Sequence, residues 1–480
     1  MGFFDFLKSI FEDSSSDNHS YGDDDNFRIN QQKNISSRES GINSRNTIKS
    51  KQNVVSSVKK DPRLNPILNS PADITSELIN NIIENKLESL TINYEFTRKW
   101  GEGEHLDSFN EYRKRYNPFY RANLIQPLKR IEFEIILGNN VKSLASAFGG
   151  FDKLMAGGGG IIAIDNFAEL EFVNLKDVSR ITDMHGMFCG ASSFNQDISK
   201  WDVSKVTDFS EMFYHATSFN QNIGNWDTSS AKNMSAMFFY AISFNSPISE
   251  WDTSNVENMS DMLSNAVEFN QPIGKWNTSS VKKMFRMFWY AESFNQPIED
   301  WDVSNVESMQ FMFEKAKSFN QPLNKWKTTK LEDTLGMFKD ATSFNQPLDN
   351  WDMSKVIQLS EMFSGALSFN GAVNSWNLSS LNSLNSLFKG AKSFNQPLDH
   401  WDTSRIKDMS YLFYGASSFN QPIGNWNTSN VTCMDWMFKD AKSFNQSIEN
   451  WDTSKAKANY RMSNMFDGAD SYTFHKPAGA

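Results

Sequence analysis

The 480-residue sequence predicts an α/β repeat solenoid, in which copies of a short strand and a short helix stack on one another and follow a small α-rich N-terminal cap. Two observations predict this fold. Tryptophan recurs every 25 residues from Trp201 to Trp451, and a Phe-Asn pair keeps the same spacing from Phe194 to Phe444. A strict period in this range is typical of arrays whose repeated unit buries its apolar face only against its neighbours.

Composition and charge exclude several classes of protein. The chain has 40 Phe, 14 Trp and 21 Met, so most of it carries core-forming residues and is not a disordered chain. The net charge of -10 leaves no basic excess for a phosphate backbone, and we expect no nucleic-acid partner. Cys189 and Cys433 are too far apart in the sequence to form a disulfide framework or a zinc site. No apolar run reaches the roughly 18 residues that span a bilayer.

The first two segments are an amphipathic stretch and a linker. Residues 1–13 place Phe3, Leu7, Ile10 and Phe11 on one side of a helix, which suits docking on a protein or on a membrane surface. Acidic residues inside this stretch do not fit a secretory signal, so we expect a cytoplasmic or peripheral membrane protein. The alternative is a cell-surface or secreted protein exported by an unconventional route. Residues 14–70 are polar and predict a disordered linker.

Residues 71–165 predict a small α-rich domain or cap. Apolar residues from Ile74 to Leu90 step by three or four, as on one face of a helix, and an apolar run follows at residues 131–137. The glycines at residues 157–160 are not followed by the Lys-Ser or Lys-Thr of a phosphate-binding loop, so we interpret this tract as a flexible joint.

Residues 166–474 hold about twelve copies of the repeat. Within one copy the apolar positions predict a helix, because they step by three or four residues. They are Val206, Phe209, Met212, Phe213, Ala216 and Phe219. The segment Phe-Asn-Gln-Pro-Ile-x-x-Trp is short and often carries proline, which predicts a brief strand. In the last copy Met465 and Phe466 come three residues late, as is typical of a capping turn.

The repeat resembles that of the BspA-like leucine-rich-repeat surface proteins, and most closely their mycoplasma lipoprotein-type repeat, a domain of unknown function. The resemblance covers about residues 170 to 470. It implies a leucine-rich-repeat-like stack in which residues 212–216 match the helical segment and residues 223–226 the strand. It also implies adhesion or binding at a cell surface, although the N-terminus lacks the expected export signal or lipid-anchor cysteine.

Two polar columns recur with the repeat. The asparagines from Asn195 to Asn445 fit buried amides that bond to the backbone of adjacent turns. The aspartates that follow tryptophan, such as Asp302, offer one carboxylate in each copy, where calcium takes six to eight oxygens. We interpret them as turns in which the carboxylate bonds the backbone two residues on. The six histidines have no paired nucleophile or recurring carboxylate, and we expect no catalytic site, metal or cofactor.

Aromatic residues replace the usual small polar residues at some exposed positions of the predicted helices. Phe311, Tyr411 and Trp436 are further large residues at such positions. We predict a partner-binding strip at the positions where they gather. The strip consists of Tyr214, Phe239, Tyr240, Phe285, Trp289 and Tyr290. Packing of these side chains against the N-terminal unit or against a second copy of the chain is the alternative. The variable pairs beside each predicted strand, such as Glu299 and Asp300, form a rival binding surface.

These observations favour a non-enzymatic scaffold that binds a protein or glycan ligand on an extended repeat surface. The alternative is an enzyme or effector whose activity resides in residues 72–165, with the repeats as a targeting module. A deep pocket there with paired acid and base groups would favour the alternative, and the sequence does not show one.

Overall fold

The computed structural model of the protein describes residues 144, 177–192 and 194–477, together with the backbone of four strands that precede the array. These strands are β1 (Ile67–Leu68), β2 (Ser89–Phe96), β3 (Arg130–Leu137) and β4 (Glu169–Phe172). The predicted amphipathic segment 1–13, most of the predicted linker 14–70 and the glycine tract 157–160 lie outside the described residues.

The four strands form one parallel sheet in the order β1-β2-β3-β4. The regular structure described within residues 71–165 is therefore strand, which differs from the predicted α-rich cap. The reason lies in the sequence, because residues 89–96 and 130–135 alternate polar and apolar side chains, the period of a strand. Most of the apolar residues that predict a helix lie before Leu90 and outside the described part of the chain. Leu90 itself lies in β2.

The sheet leads into the array in a constant register. Arg130 of β3 pairs with Glu169 of β4, and the Leu144 N–H donates to the Asp183 carbonyl at 2.9 Å, so both pairs keep the same separation along the chain. After Asp183 the separation of stacked partners falls to that between Asp183 and Asp208, one 25-residue copy. Leu144 is buried in the same core as the first copies.

The predicted helix in each copy is wrong, because overlapping turns occupy its place. Two residues of each turn segment adopt a left-handed backbone. In one copy they are Glu211, with φ 57°, and His215, with φ 56°. A right-handed helix needs φ near -63° at every residue, so these two positions prevent it. The predicted strand is also missing from the described copies, where isolated parallel bridges lie instead within the turn segment, as between Asp208 and Asn233.

Backbone donors in this turn segment are satisfied alternately by the next copy and by the same copy. Four N–H groups donate to carbonyls of the next copy at 2.7–2.9 Å, namely those of Phe209, Glu211, Phe213 and His215. Three donate to carbonyls three residues back at 3.0–3.2 Å, namely those of Met212, Tyr214 and Ala216. The Ser210 N–H donates to the Asp208 carboxylate at 2.8 Å. The segment needs no helix because each of these donors has an acceptor.

The core consists of the recurring Trp, Phe, Met and Ile or Leu columns, whose predicted burial is confirmed. Each indole from Trp226 to Trp451 also donates its N–H to a carbonyl of the preceding copy. Trp326 donates to the Ile298 carbonyl at 3.0 Å and stacks on Trp351 with ring centroids 6.0 Å apart. Neighbouring copies therefore share both apolar surface and hydrogen bonds.

The asparagine column bonds to the backbone of adjacent copies, as predicted. Asn195 Oδ1 accepts the N–H of Asn220 at 2.9 Å, and the series continues to Asn445, whose Oδ1 accepts the N–H of Thr473 at 3.0 Å. The prediction that these amides are buried is wrong, since they lie exposed or half-buried at the rim of the core.

The last copy is irregular, as predicted. Helix α1 (Ser454–Ala458) precedes its turn segment, and Phe438 stacks on Phe466 with centroids 5.4 Å apart, so the stacked partner comes three residues late. Within the part of the chain that the structure describes, no helix is long and apolar enough to cross a membrane.

Candidate functional site

The overlapping turns of successive copies present a continuous row of outward side chains, which we call the turn face. It consists of the residues at the positions of Ser210, Glu211, Tyr214 and His215 and their equivalents in the other copies. Phe209, Met212, Phe213 and Ala216 point into the core between them. Because the turn segments pair copy to copy, equivalent residues of the turn face lie about 5 Å apart at the spacing of paired strands.

The first part of the predicted strip forms a compact stack of rings. Tyr214 lies on Phe239 at 4.7 Å with an interplanar angle of 4°, and His215 lies on Tyr240 at 4.5 Å with an angle of 5°. Tyr214 is only 7% exposed, and its burial raises the pKa of its hydroxyl. Phe239 and Tyr240 are half-buried and form the accessible part of this group.

The second part of the predicted strip surrounds a half-buried ion pair. Arg286 Nε lies 2.9 Å from Asp261 Oδ1, and its guanidinium lies over the rings of Phe285 and Trp289 at 4.6 and 5.5 Å. Burial raises the pKa of Asp261, while Arg286 opposes that rise. The aromatic side chains here cover a charge pair that would otherwise be exposed to water.

Trp289 and Tyr290 each contact a charged residue of the next copy. The Trp289 indole N–H donates to Glu314 Oε2 at 2.9 Å, and burial raises the pKa of that carboxyl. Lys315 bonds the Tyr290 hydroxyl and lies over its ring at 4.3 Å. Tyr290 is 6% exposed. These two aromatic residues are thus part of a packed network.

The structure therefore brings the six predicted residues together as two groups and not as one strip. Tyr214, Phe239 and Tyr240 form one group, and Phe285, Trp289 and Tyr290 form the other. The copy between them carries Ser264 and Asn265 at the same positions. Sequence reasoning missed the charged partners Asp261 and Glu314, although the opposite charges of Asp261 and Arg286, one copy apart, were a usable signal.

A third aromatic group lies near the C-terminal end of the turn face. Tyr411 stacks on Trp436 at 5.9 Å with an angle of 10°, and Tyr414 is tilted against Trp436 at 6.4 Å. Lys389 lies over the rings of Tyr411 and Tyr414 at 5.4 and 5.9 Å, and Lys439 lies over Trp436 at 4.6 Å. The predicted strip did not include this group.

The rival surface beside the predicted strands is exposed and charged. Lys325 bridges Glu299 at 3.2 Å and Asp300 at 3.1 Å, and Lys275 lies 3.9 Å from Glu250. Exposed pairs of this kind hold their side chains weakly.

The acidic column forms the predicted turns. Asp302 Oδ1 accepts the N–H of Ser304 at 2.9 Å, and Asn277 accepts that of Ser279 at 3.1 Å in the same way. Hydrogen bonds from Ser304 lower the pKa of Asp302. Among the described residues no group of three or more His, Cys, Asp or Glu side chains could hold a metal ion.

Stacked copies with shared core columns, continuous polar ladders and a variable turn face define a repeat protein. A family model matches residues 163–273, 264–376 and 359–477 in turn, and the chain belongs to that family, described as "Mycoplasma protein of unknown function, DUF285". No curated protein and no solved structure matches the chain significantly. The family thus identifies a repeat domain and assigns it no activity.

Proposed function

We propose that the array is a non-enzymatic, leucine-rich-repeat-like solenoid of the BspA-like type that binds a protein or glycan ligand through its turn face, as an adhesin or interaction scaffold does. This proposal rests on one observation: the residue types are constant in the core columns and vary in the turn-face columns. The core column at Phe213 holds Phe or Leu in the regular copies, whereas the adjacent turn-face column changes from Tyr214 through Ser264, Glu314 and Lys389. Phe239, Trp289 and Lys389 of this column reach the surface, and variation at surface positions of a repeat array is typical of binding surfaces.

Aromatic side chains support this proposal because they bury large areas with few rotatable bonds and dominate interface energies. Phe239 and Tyr240 are the best placed of the predicted residues, since both are half-buried and stand on rigid neighbours. Trp289 and Tyr290 are less suitable for a test of binding. Their replacement by serine removes the donor to half-buried Glu314 and the partner of Lys315, so we expect a loss of stability instead.

The test uses replacements that the same columns already carry in the next copy. Phe239→Ser and Tyr240→Asn copy Ser264 and Asn265, so the backbone, left-handed at Tyr240 and Asn265, is preserved. The full chain and this double variant are compared on arrays of immobilised proteins and glycans. We expect the variant to lose a ligand that the unaltered chain binds.

A matched control changes the rival surface through Glu299→Gln and Asp300→Asn, and we expect it to keep the ligand. Binding that survives Phe239→Ser with Tyr240→Asn but is lost in the control would transfer the site to the rival surface. An unaltered chain that binds no protein or glycan would contradict the proposed function.

Two further expectations stay predictions. The alternative enzyme would lie in residues 72–165, where Leu144 is the one residue described with its side chain. The cell location is tested by adding protease to intact cells. Cleavage of the array would favour surface exposure, and protection would favour an internal or inner-membrane location.

A further inference from the structure

Side chains of opposite charge alternate across the middle of the turn face. Three carboxylates and three lysines from four neighbouring copies form this group, which we call the charge cluster. Its members are Glu314, Lys315, Lys339, Asp340, Glu361 and Lys389. All of them are half-buried except Lys389, which is exposed. When all six groups are ionised, the three positive and three negative charges of the cluster cancel.

One direct ion pair joins members of the charge cluster within the described residues. Lys339 Nζ lies 2.5 Å from Glu361 Oε2. Lys315 contacts the ring of Tyr290, and Lys389 lies over two tyrosine rings of a later copy. No described cation lies within ion-pair distance of the carboxylates of Glu314 and Asp340. These two carboxylates are therefore balanced by lysines that they do not touch.

Asp340 is enclosed without a hydrogen-bond donor. Its carboxylate packs on the backbone of Gly365, where even a Cβ atom would clash with Asp340 Oδ1. No described residue donates a hydrogen bond to this carboxylate, whereas each exposed aspartate of the acidic column accepts a backbone N–H. Burial raises the pKa of Asp340. Lys315, Lys339 and Lys389 oppose this rise, and the charge of Glu361 adds to it.

Glu314 accepts one hydrogen bond, from the indole N–H of Trp289 at 2.9 Å. Burial raises the pKa of Glu314, while Lys339, the Trp289 bond and Lys315 oppose the rise and Asp340 adds to it. An enclosed carboxylate with few donors and no cation in contact takes up a proton more readily than an exposed one. As pH falls, Glu314 and Asp340 are therefore protonated before carboxylates with the ordinary pKa values of about 3.9 to 4.3.

We propose that the charge cluster is an acid-sensitive switch, which turns the middle of the turn face into a cationic surface for a ligand that carries sulfate groups. One proton each on Glu314 and Asp340 leaves three lysines against the one carboxylate of Glu361, so the local charge rises from zero to +2. Lys315 and Lys389 then lose the charge that Asp340 supplied. Sulfate esters stay ionised at a pH where carboxylates begin to be protonated, so the switch favours sulfates.

This switch goes beyond the proposed function, since it assigns pH regulation to a part of the turn face that Phe239→Ser with Tyr240→Asn does not change. Binding of the full chain to an immobilised heparin oligosaccharide is measured by biolayer interferometry while pH is lowered from neutral at constant ionic strength. We expect the affinity to rise about tenfold, at a pH above the ordinary carboxyl range of about 3.9 to 4.3.

The variant Glu314→Gln with Asp340→Asn imitates the acid state. Gln keeps an acceptor for the Trp289 indole, and Asn already occupies the same left-handed position at Asn265. At neutral pH this variant should bind heparin as the unaltered chain does in acid, with no further rise above the ordinary carboxyl range. An unaltered chain without the rise in acid, or a variant with the same pH profile as the unaltered chain, would overturn the proposal.

A matched control makes the same change in net charge through Asp302→Asn with Asp352→Asn, in a column that already carries Asn277 and Asn377. Hydrogen bonds from serine lower the pKa of both aspartates, so both stay ionised while the switch operates. The control should therefore follow the pH profile of the unaltered chain, and a control that behaves like Glu314→Gln with Asp340→Asn would overturn the proposal. Equal binding of a hyaluronate oligosaccharide, which carries carboxylates and no sulfates, would overturn the choice of sulfate.

Urea unfolding at several pH values gives a readout that needs no ligand. The pKa values of Glu314 and Asp340 are raised in the folded state, so the stability they contribute is complete below the unfolded values and is lost as pH rises through the folded values. Glu314→Gln with Asp340→Asn should therefore be more stable than the unaltered chain at neutral pH, and this advantage should shrink in acid. A difference that is constant with pH would overturn the switch. The separate test with Phe239→Ser and Tyr240→Asn would keep its meaning in that case.

Discussion

Replacing Trp326 by alanine removes one of the largest fully buried side chains of the array. The side chain is 2% exposed, and burial of about 200 Å² at about 25 cal/mol per Å² corresponds to roughly 5 kcal/mol. Measured losses for such changes are about 3 to 5 kcal/mol. The change also leaves the Ile298 carbonyl without its indole donor, which costs about 1 to 3 kcal/mol if water does not enter. We expect a loss of about 4 to 6 kcal/mol in the free energy of unfolding.

Urea unfolding followed by circular dichroism measures this loss, with the free energy extrapolated linearly to water. Trp326→Phe keeps one ring but removes the N–H and the volume of the second ring, so we expect an intermediate loss of about 2 to 4 kcal/mol. Lys327→Ala, at an exposed position beside it, is the control and should change stability by less than about 0.5 kcal/mol.

A loss below about 1 kcal/mol for Trp326→Ala would refute the reasoning. It would mean that the indole does not join the two copies, and that each copy is stable without the surface it shares. An equal loss in Trp326→Ala and Lys327→Ala would also contradict it, since the effect would then not come from burial.

Three further outcomes are expected. Ala236→Gly should stabilise the chain by about 1 kcal/mol, because Ala236 has φ 52°, whereas Ala372→Gly, at a position without positive φ, should destabilise it in the same urea assay. Tyr472→Phe should raise the thermal midpoint, since the buried hydroxyl has no hydrogen-bond partner among the described residues and burial raises its pKa to about 12; a lowered midpoint would show that the hydroxyl is bonded. Asp302→Asn should match the unaltered chain near pH 7 and lose less stability in acid. The pKa of Asp302 is lowered in the folded state, so its contribution is complete above the unfolded value of about 3.9 and disappears as pH falls through the folded value; identical acid titrations of the two proteins would contradict this.

The sequence predicted best what every copy repeats. Trp326 and its equivalents are buried, Asn195 and its equivalents bond the next copy, and Asp302 forms its turn, because each depends on one residue type recurring at one spacing. A contact that occurs in every copy requires the same residue type at the same position of the repeat, so it is visible in the sequence. The late position of Phe466 was visible for the same reason.

The predicted helix failed because overlapping turns produce the same apolar spacing. Turns closed by bonds between residues three apart bring Phe209, Met212 and Phe213 to one side, as a helix does. The left-handed positions could not be recognised from residues such as Glu211 and Phe311, which rarely adopt that backbone. Glycines at the equivalent positions, such as Gly336 and Gly390, were the signal that could have revealed them.

The grouping of the residues in the predicted strip could not be foreseen, because residue type does not show which contacts a side chain already makes. Trp289 looks like a free interface residue in the sequence, yet its indole bonds Glu314. That bond depends on the rotation of one side chain toward the next copy. Tyr411 and Trp436 are recognisable in the sequence as single bulky residues, whereas their stacking depends on how neighbouring copies align.

The hydrogen bonds between neighbouring copies have a mechanical consequence. The bonds from Phe209, Glu211, Phe213 and His215 all connect one copy to the next, so a force that separates the two ends of the array loads them one copy at a time. A detached copy of 25 residues extends to at most about 85 Å, against about 5 Å when stacked. Because each copy contacts only its neighbours, the rest remains folded. Under tension the array would lengthen stepwise, as an extensible tether whose remaining copies stay stacked.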